Sequence, residues 1–105
     1  MSTITINELN YQEVVGGAKQ VVIDFWATWC PPCKAFGPVF LKTSEKYPEV
    51  IFAKMDVDEN PNFSQEHNIR SIPTLWMLKD GELVYNQAGA LDESTFDALI
   101  QKKLF

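Results

Sequence analysis

Cysteine and histidine are scarce in this sequence of 105 residues: there are two cysteines, Cys30 and Cys33, and a single histidine, His67. A small secreted domain staples itself with several bridges between distant cysteines, so two thiols within four residues exclude that architecture. Zinc takes four protein ligands, or three with one open position, and two cysteines with one distant histidine do not supply them; no metal site is expected. Basic residues are also in the minority, 9 against 14 acidic, for a net charge of −5 and a pI near 4.7. That balance argues against nucleic acid and anionic membranes as partners, because phosphate binding needs concentrated Lys and Arg. The first twenty residues, MSTITINELNYQEVVGGAKQ, lack the basic start and apolar run of a signal peptide or anchor. The expectation is a cytoplasmic chain with no membrane attachment, acting as a monomer. Repeats and low-complexity segments are absent as well.

What is present is an ordinary globular composition, 46% hydrophobic and 22% charged, in a length that suits one domain over 1–105. Thr3 to Ile6 alternates like a short edge strand. Asn7 is placed to cap a helix that carries Leu9, Val14 and Val15 inward and stops at Gly16-Gly17. Val21 to Trp26 is a nearly continuous apolar run, as in a central strand covered on both faces, broken only by Asp24. Phe36, Phe40, Thr43 and Tyr47 then recur at helical spacing, with Val39 widening the stripe, Pro38 a candidate kink and Pro48 beyond the end. Val50 to Val57 reads as a buried strand interrupted by Lys54. Asn60-Pro61 opens a short helix reaching about His67. Thr74 to Lys79 and Glu82 to Gln87 form a hairpin around Asp80-Gly81. Asp92 caps a last helix with Phe96, Leu99 and Ile100 inward and Lys102 and Lys103 near its C-terminus. The order βαβαβαββα predicts an α/β fold, a mixed five-stranded sheet flanked by four helices.

The residues that carry chemistry are Cys30-Pro31-Pro32-Cys33, at a strand-to-helix junction. Two thiols so spaced can close a disulfide across one helical turn. At a helix N-terminus the Cys30 thiolate is favoured by unpaired N–H groups and the dipole, and Cys33 can then release a mixed disulfide from within. This division of labour calls for an exposed Cys30 and a sheltered Cys33. A structural disulfide remains an alternative, although so short a loop restricts the unfolded chain little. Two inert core thiols are another, set against the flanking Pro-Pro at a helix start.

Val22 to Lys34, with its Trp29-Cys30-Pro31-Pro32-Cys33 core, resembles the active-site region of thioredoxins, and Arg70-Ser71-Ile72-Pro73-Thr74 resembles their cis-proline loop. Ala53 to Asp58, Asn60-Pro61, Asp80-Gly81 and Gly89-Ala90-Leu91 fall at the order and spacing of the same family. The resemblance implies a thioredoxin fold and a protein thiol–disulfide oxidoreductase with a redox-active Cys30–Cys33 disulfide, Cys30 as nucleophile and Cys33 as resolving thiol. It also implies no bound cofactor, with NADPH acting indirectly through a flavin-dependent thioredoxin reductase, and clients that are proteins bearing disulfides.

A buried aspartate is costly unless paired or protonated, so Asp24 needs a reason. The resemblance gives it proton exchange with Cys33, with Lys54 tuning its affinity; a purely structural Asp24–Lys54 pair is the alternative. Burial raises the Asp24 pKa and Lys54 lowers it, in opposition. A cis bond before Pro73 and an apolar client-binding rim of Trp29, Pro32, Ile72, Pro73, Gly89 and Ala90 are likewise implied. Trp26 and Trp76 read as packing, and His67 as a capping or surface residue. The family usually has Gly where Pro31 stands. Proline there deletes an N–H that could face the Cys30 sulfur and stiffens the loop, two effects on the redox couple whose sum the sequence leaves unsigned. A specialised reductant, oxidant or isomerase for few clients, and a non-enzymatic binding scaffold, are the competing functions.

Overall fold

The computed structural model describes residues 3–105. Five strands and four helices alternate as β1 (Thr3–Thr5), α1 (Tyr11–Gly16), β2 (Gln20–Trp26), α2 (Pro31–Ser44), β3 (Ile51–Asp56), α3 (Pro61–Glu66), β4 (Thr74–Lys79), β5 (Glu82–Ala88) and α4 (Glu93–Leu104). The sheet order is β1-β3-β2-β4-β5. β2 is parallel to β3 and antiparallel to β4, so the sheet is mixed, as the element order implies. The βαβ crossovers put β2 at the centre, and its apolar run is the consequence: Val21 to Phe25 are all buried.

Alternation along the strands sends side chains into two cores. Val22, Phe52, Leu75 and Met77 pack with Phe36 and Phe40 of α2 and Phe96, Ile100 and Leu104 of α4. Val21, Ile23, Phe25, Ala53, Met55, Trp76 and Leu78 pack on the other face with Val15 and Phe63. The rings of Phe36, Phe40, Phe52 and Phe96 lie 5.3 to 6.2 Å apart where they meet. Each fully buried phenylalanine contributes about 1.5–3 kcal/mol by burial, so this cluster fixes α2 and α4 against the sheet.

α2 runs through Pro38 rather than ending there. At the hairpin, Asp80 and Gly81 both have positive φ, +51° and +82°, the geometry of a two-residue type I′ turn. Asp92 caps α4, its carboxylate accepting from Thr95 N at 2.8 Å.

Two expectations near the N-terminus fail. Leu9 is 95% exposed, and the helix begins only at Tyr11, because the Asn7 carbonyl side chain accepts from Leu9 N and Asn10 N and holds residues 8–10 in a turn. Asn60 precedes α3 but gives it no side-chain cap. Glu8 does so instead: its carboxylate accepts from Phe63 N at 2.6 Å.

Candidate active site

β2 ends at Trp26, and Ala27 to Trp29 carry the chain to α2, whose first residues are Pro31 and Pro32. Proline is tolerated in a first turn, where N–H groups have no intrahelical partner. Cys30 is the N-cap residue, in extended conformation, and Cys33 is the third residue of the helix. The two form a disulfide with Cα atoms 5.2 Å apart. Cys33 N donates to Cys30 Sγ at 3.2 Å, so the sulfur occupies the place where a serine or aspartate oxygen caps other helices. Anionic sulfur is favoured at that place by the helix dipole.

An exposed Cys30 beside a sheltered Cys33 is not what the structure has. Cys30 is 2% exposed and Cys33 4%. Both sulfurs pack in a small cluster with Ala27, against Trp26, Val57 and Ile72, and Cys30 Sγ lies 3.7 Å from the Ile72 carbonyl oxygen. Position in the helix, rather than burial, is what makes the two thiols different.

The Ile72–Pro73 bond is cis. Pro73 is buried immediately before β4, and its carbonyl accepts from Gly89 N at 2.8 Å. Gly89 has φ +114°, a region that a side chain would oppose. The two loops are thereby joined beside the disulfide, with Ala90 exposed just beyond. Trp29 is 64% exposed, and its indole Nε1–H donates to Asp58 Oδ2 at 2.7 Å. Pro32 is exposed at the start of α2.

Asp24 is fully buried and neither carboxylate oxygen has a hydrogen-bond partner. Desolvation pushes its carboxyl from 3.8 up to about 7, with the Lys54 charge acting against the rise. Lys54 is its register partner on β3, yet the ammonium forms no ion pair with it and sits 4.8 Å from the centre of the Trp26 ring, a cation–π contact. A cleft of about 360 Å³ opens beside them, lined by Trp26, Thr28, Cys33, Lys34, Gly37 and Lys54. Cys33 and Lys54 therefore border one space open to solvent.

Trp76 and His67 stand outside this site. Trp76 is buried against Phe25, and His67 is the exposed C-cap of α3, its ring 4.2 Å from that of Phe63. Among the described residues no group of three metal-ligating side chains occurs, and no helix is long and apolar enough to cross a membrane. Asp58 and Val57 are the neighbours of the site that sequence reasoning missed. An acid in a short turn has no periodicity, and its pairing with Trp29 crosses 29 positions of sequence.

The thioredoxin family profile matches residues 2–102. A thioredoxin of Malassezia sympodialis is 48% identical over 92 residues, 86% of this chain and 87% of that protein. One of Coprinus comatus is 39% identical over 106 residues, 99% of each. Among solved structures, the Malassezia sympodialis thioredoxin superposes with a TM-score of 0.87 at 43% identity, covering 99% of this chain and 92% of that one. A mutant thioredoxin of Halobacterium salinarum superposes with 0.88 at 31%, covering 98% and 90%. With a Cys30–Cys33 disulfide capping α2 in the matching fold, the chain belongs to the thioredoxin family and is a protein thiol–disulfide oxidoreductase.

Proposed function

We propose that the protein reduces disulfides of client proteins with Cys30 as nucleophile and Cys33 as resolving thiol, and is recycled by a flavin-dependent thioredoxin reductase at the expense of NADPH. The observation that carries the assignment of roles is the Cys33 N–H donated to Cys30 Sγ at the N-cap of α2. That bond and the dipole stabilise a thiolate on Cys30 and on no other sulfur.

In the reduced protein the Cys30 thiolate attacks one sulfur of a client disulfide. An S–S bond forms between Cys30 and the client, and the client's other sulfur leaves as thiolate. Asp24, with a carboxyl near 7, takes the proton of Cys33. The Cys33 thiolate attacks the Cys30 sulfur, the mixed disulfide breaks, and the client leaves as a dithiol. The protein keeps the Cys30–Cys33 disulfide, two electrons poorer. Lys54 lowers the Asp24 pKa toward the working range, and the Ile72–Pro73 loop offers backbone to an extended client while Trp29, Pro32, Gly89 and Ala90 form the apolar rim. The chain works as one domain and as a monomer in the cytoplasm, in electron transport that maintains the cell's redox balance.

Incubation with a thioredoxin reductase, NADPH and insulin tests this reading. NADPH consumption that depends on both cysteines is expected; no turnover with any reductase tried, alongside rapid oxidation of a glutathione pool, would place the protein among specialised oxidants instead.

A further inference from the structure

Trp29 lies far outside the core, yet its indole is held at one point, by Asp58. Asp58 belongs to the turn that follows β3, and its own backbone N–H donates to Asp56 Oδ1 at 2.9 Å. The base of this turn is closed by Asn60. That side chain is 5% exposed and uses both ends: Nδ2 donates to the Asp56 carbonyl and Oδ1 accepts from Glu8 N, each at 2.9 Å. Its backbone is engaged too, N donating to the Val57 carbonyl at 3.3 Å and O accepting from Ser64 Oγ at 2.9 Å. Glu8 reaches the same place from a segment 52 residues away and caps α3 through Phe63 N. A buried amide so fully satisfied sets the geometry of what it joins, since each lost partner would leave a desolvated polar group.

We infer that Asn60 and Glu8 are positioning residues for client binding, acting through Asp58 to hold the Trp29 indole at the lip of the site. Neither touches the disulfide, and neither is needed for the chemistry of Cys30 and Cys33. The inference rests on Trp29 being part of the client rim. Loosening the strut lets the indole leave its docking position, so a protein client pays the ordering cost when it binds. A small disulfide that meets only the sulfurs does not.

The test is steady-state reduction of insulin and of a small aromatic disulfide by Glu8→Ala, Glu8→Gln and Asn60→Ala, each also made with Asp58→Ala. Loss of the net contribution of one ordinary hydrogen bond predicts a KM for insulin raised by about three- to tenfold in Glu8→Ala and Asn60→Ala, with kcat and the small-disulfide rate unchanged. Glu8→Gln, which keeps an acceptor for Phe63 N, should restore most of the affinity. In the Asp58→Ala background Glu8→Ala should add nothing, because its route to Trp29 is already cut. Additive effects, or equal losses on both substrates, overturn the inference. Fluorine NMR of 5-fluorotryptophan protein supplies a second reading: the Trp29 resonance should shift and narrow in Glu8→Ala, and an unmoved line refutes the strut. Trp29→Ala separates the two layers. If it leaves the insulin KM unchanged the rim itself fails; if it raises KM while Glu8→Ala does not, only the strut fails.

Discussion

Asp24 and Lys54 face each other as register partners on β2 and β3, but the lysine ammonium lies over the Trp26 ring and leaves the carboxylate without a hydrogen bond or an ion pair. The two are therefore not joined by a direct salt bridge. The lysine acts on the aspartate through charge at a distance, and desolvation prevails: the carboxyl titrates near 7.

That displacement makes stability depend on pH. In the unfolded chain Asp24 loses its proton near 3.8, whereas in the folded protein it keeps it until about 7. Between these values the folded state binds more protons, so stability is fullest below the lower value and falls as pH rises to the upper one. The loss is about 4 kcal/mol, taking about 1.4 kcal/mol per unit. Asp24→Asn removes the ionisation and should be more stable than the parent above about pH 8, with the gap closing toward about pH 4. Urea unfolding across that range checks it; a constant gap would show that the carboxyl does not titrate as stated.

Lys54→Gln removes the charge that opposes the rise. The Asp24 pKa should increase further, and the acid limb of the pH–rate profile for client release, where the base must lose its own proton, should move to higher pH with it. Carbon NMR of the Asp24 carboxyl during titration measures the first, and stopped-flow reduction of insulin the second. A profile that stays in place while the carboxyl moves would detach Asp24 from the rate.

Much of this was legible in the sequence. The two crossovers, the hairpin and the last helix follow from apolar periodicity and turn residues, because burial on a sheet face and positive φ at Asp80-Gly81 are local demands. Asp24 stood out as a charge within an apolar strand. What escaped was non-local. Glu8 caps a helix 55 residues away, and Asp58 receives Trp29. No window along the chain contains those contacts, and only their family spacing hinted that the segments meet.

Cys33→Ser should trap clients as mixed disulfides on Cys30, since attack proceeds and release does not. Cys30→Ser should trap none, although its remaining sulfur is as buried as the other. Mass spectrometry of the adducts decides between positions. Adducts on Cys33 in comparable yield would mean that the N-cap position does not distinguish the thiols.

Removing the cap of α4 tests whether the site depends on that helix. Asp92→Ala loses the bond from Thr95 N and should lower the midpoint of urea unfolding. Insulin reduction should be unchanged at temperatures where the protein stays folded, because α4 packs on the sheet face through Phe96, Ile100 and Leu104 and contributes no atom to the Cys30–Cys33 cluster. A fall in kcat equal to that of a site variant would contradict this separation.

Pro31 stands where the family usually has glycine, and the structure resolves one of its two effects. A side chain at the N-cap accepts from the second or third helical N–H, and here the donor is Cys33 N, the third. Pro31 is the first, so the N–H it lacks is not one that would reach Cys30 Sγ. A hydrogen bond to a charged group is worth about 1.5–3 kcal/mol, which is about one to two pKa units. Pro31→Gly should therefore move the Cys30 thiol pKa by less than about one unit, measured by ultraviolet thiolate absorbance in the reduced protein. A drop of a unit or more would mean that proline has removed a donor after all. A small shift in pKa together with a changed dithiol potential against glutathione would assign the influence of Pro31 to the stiffness of the loop.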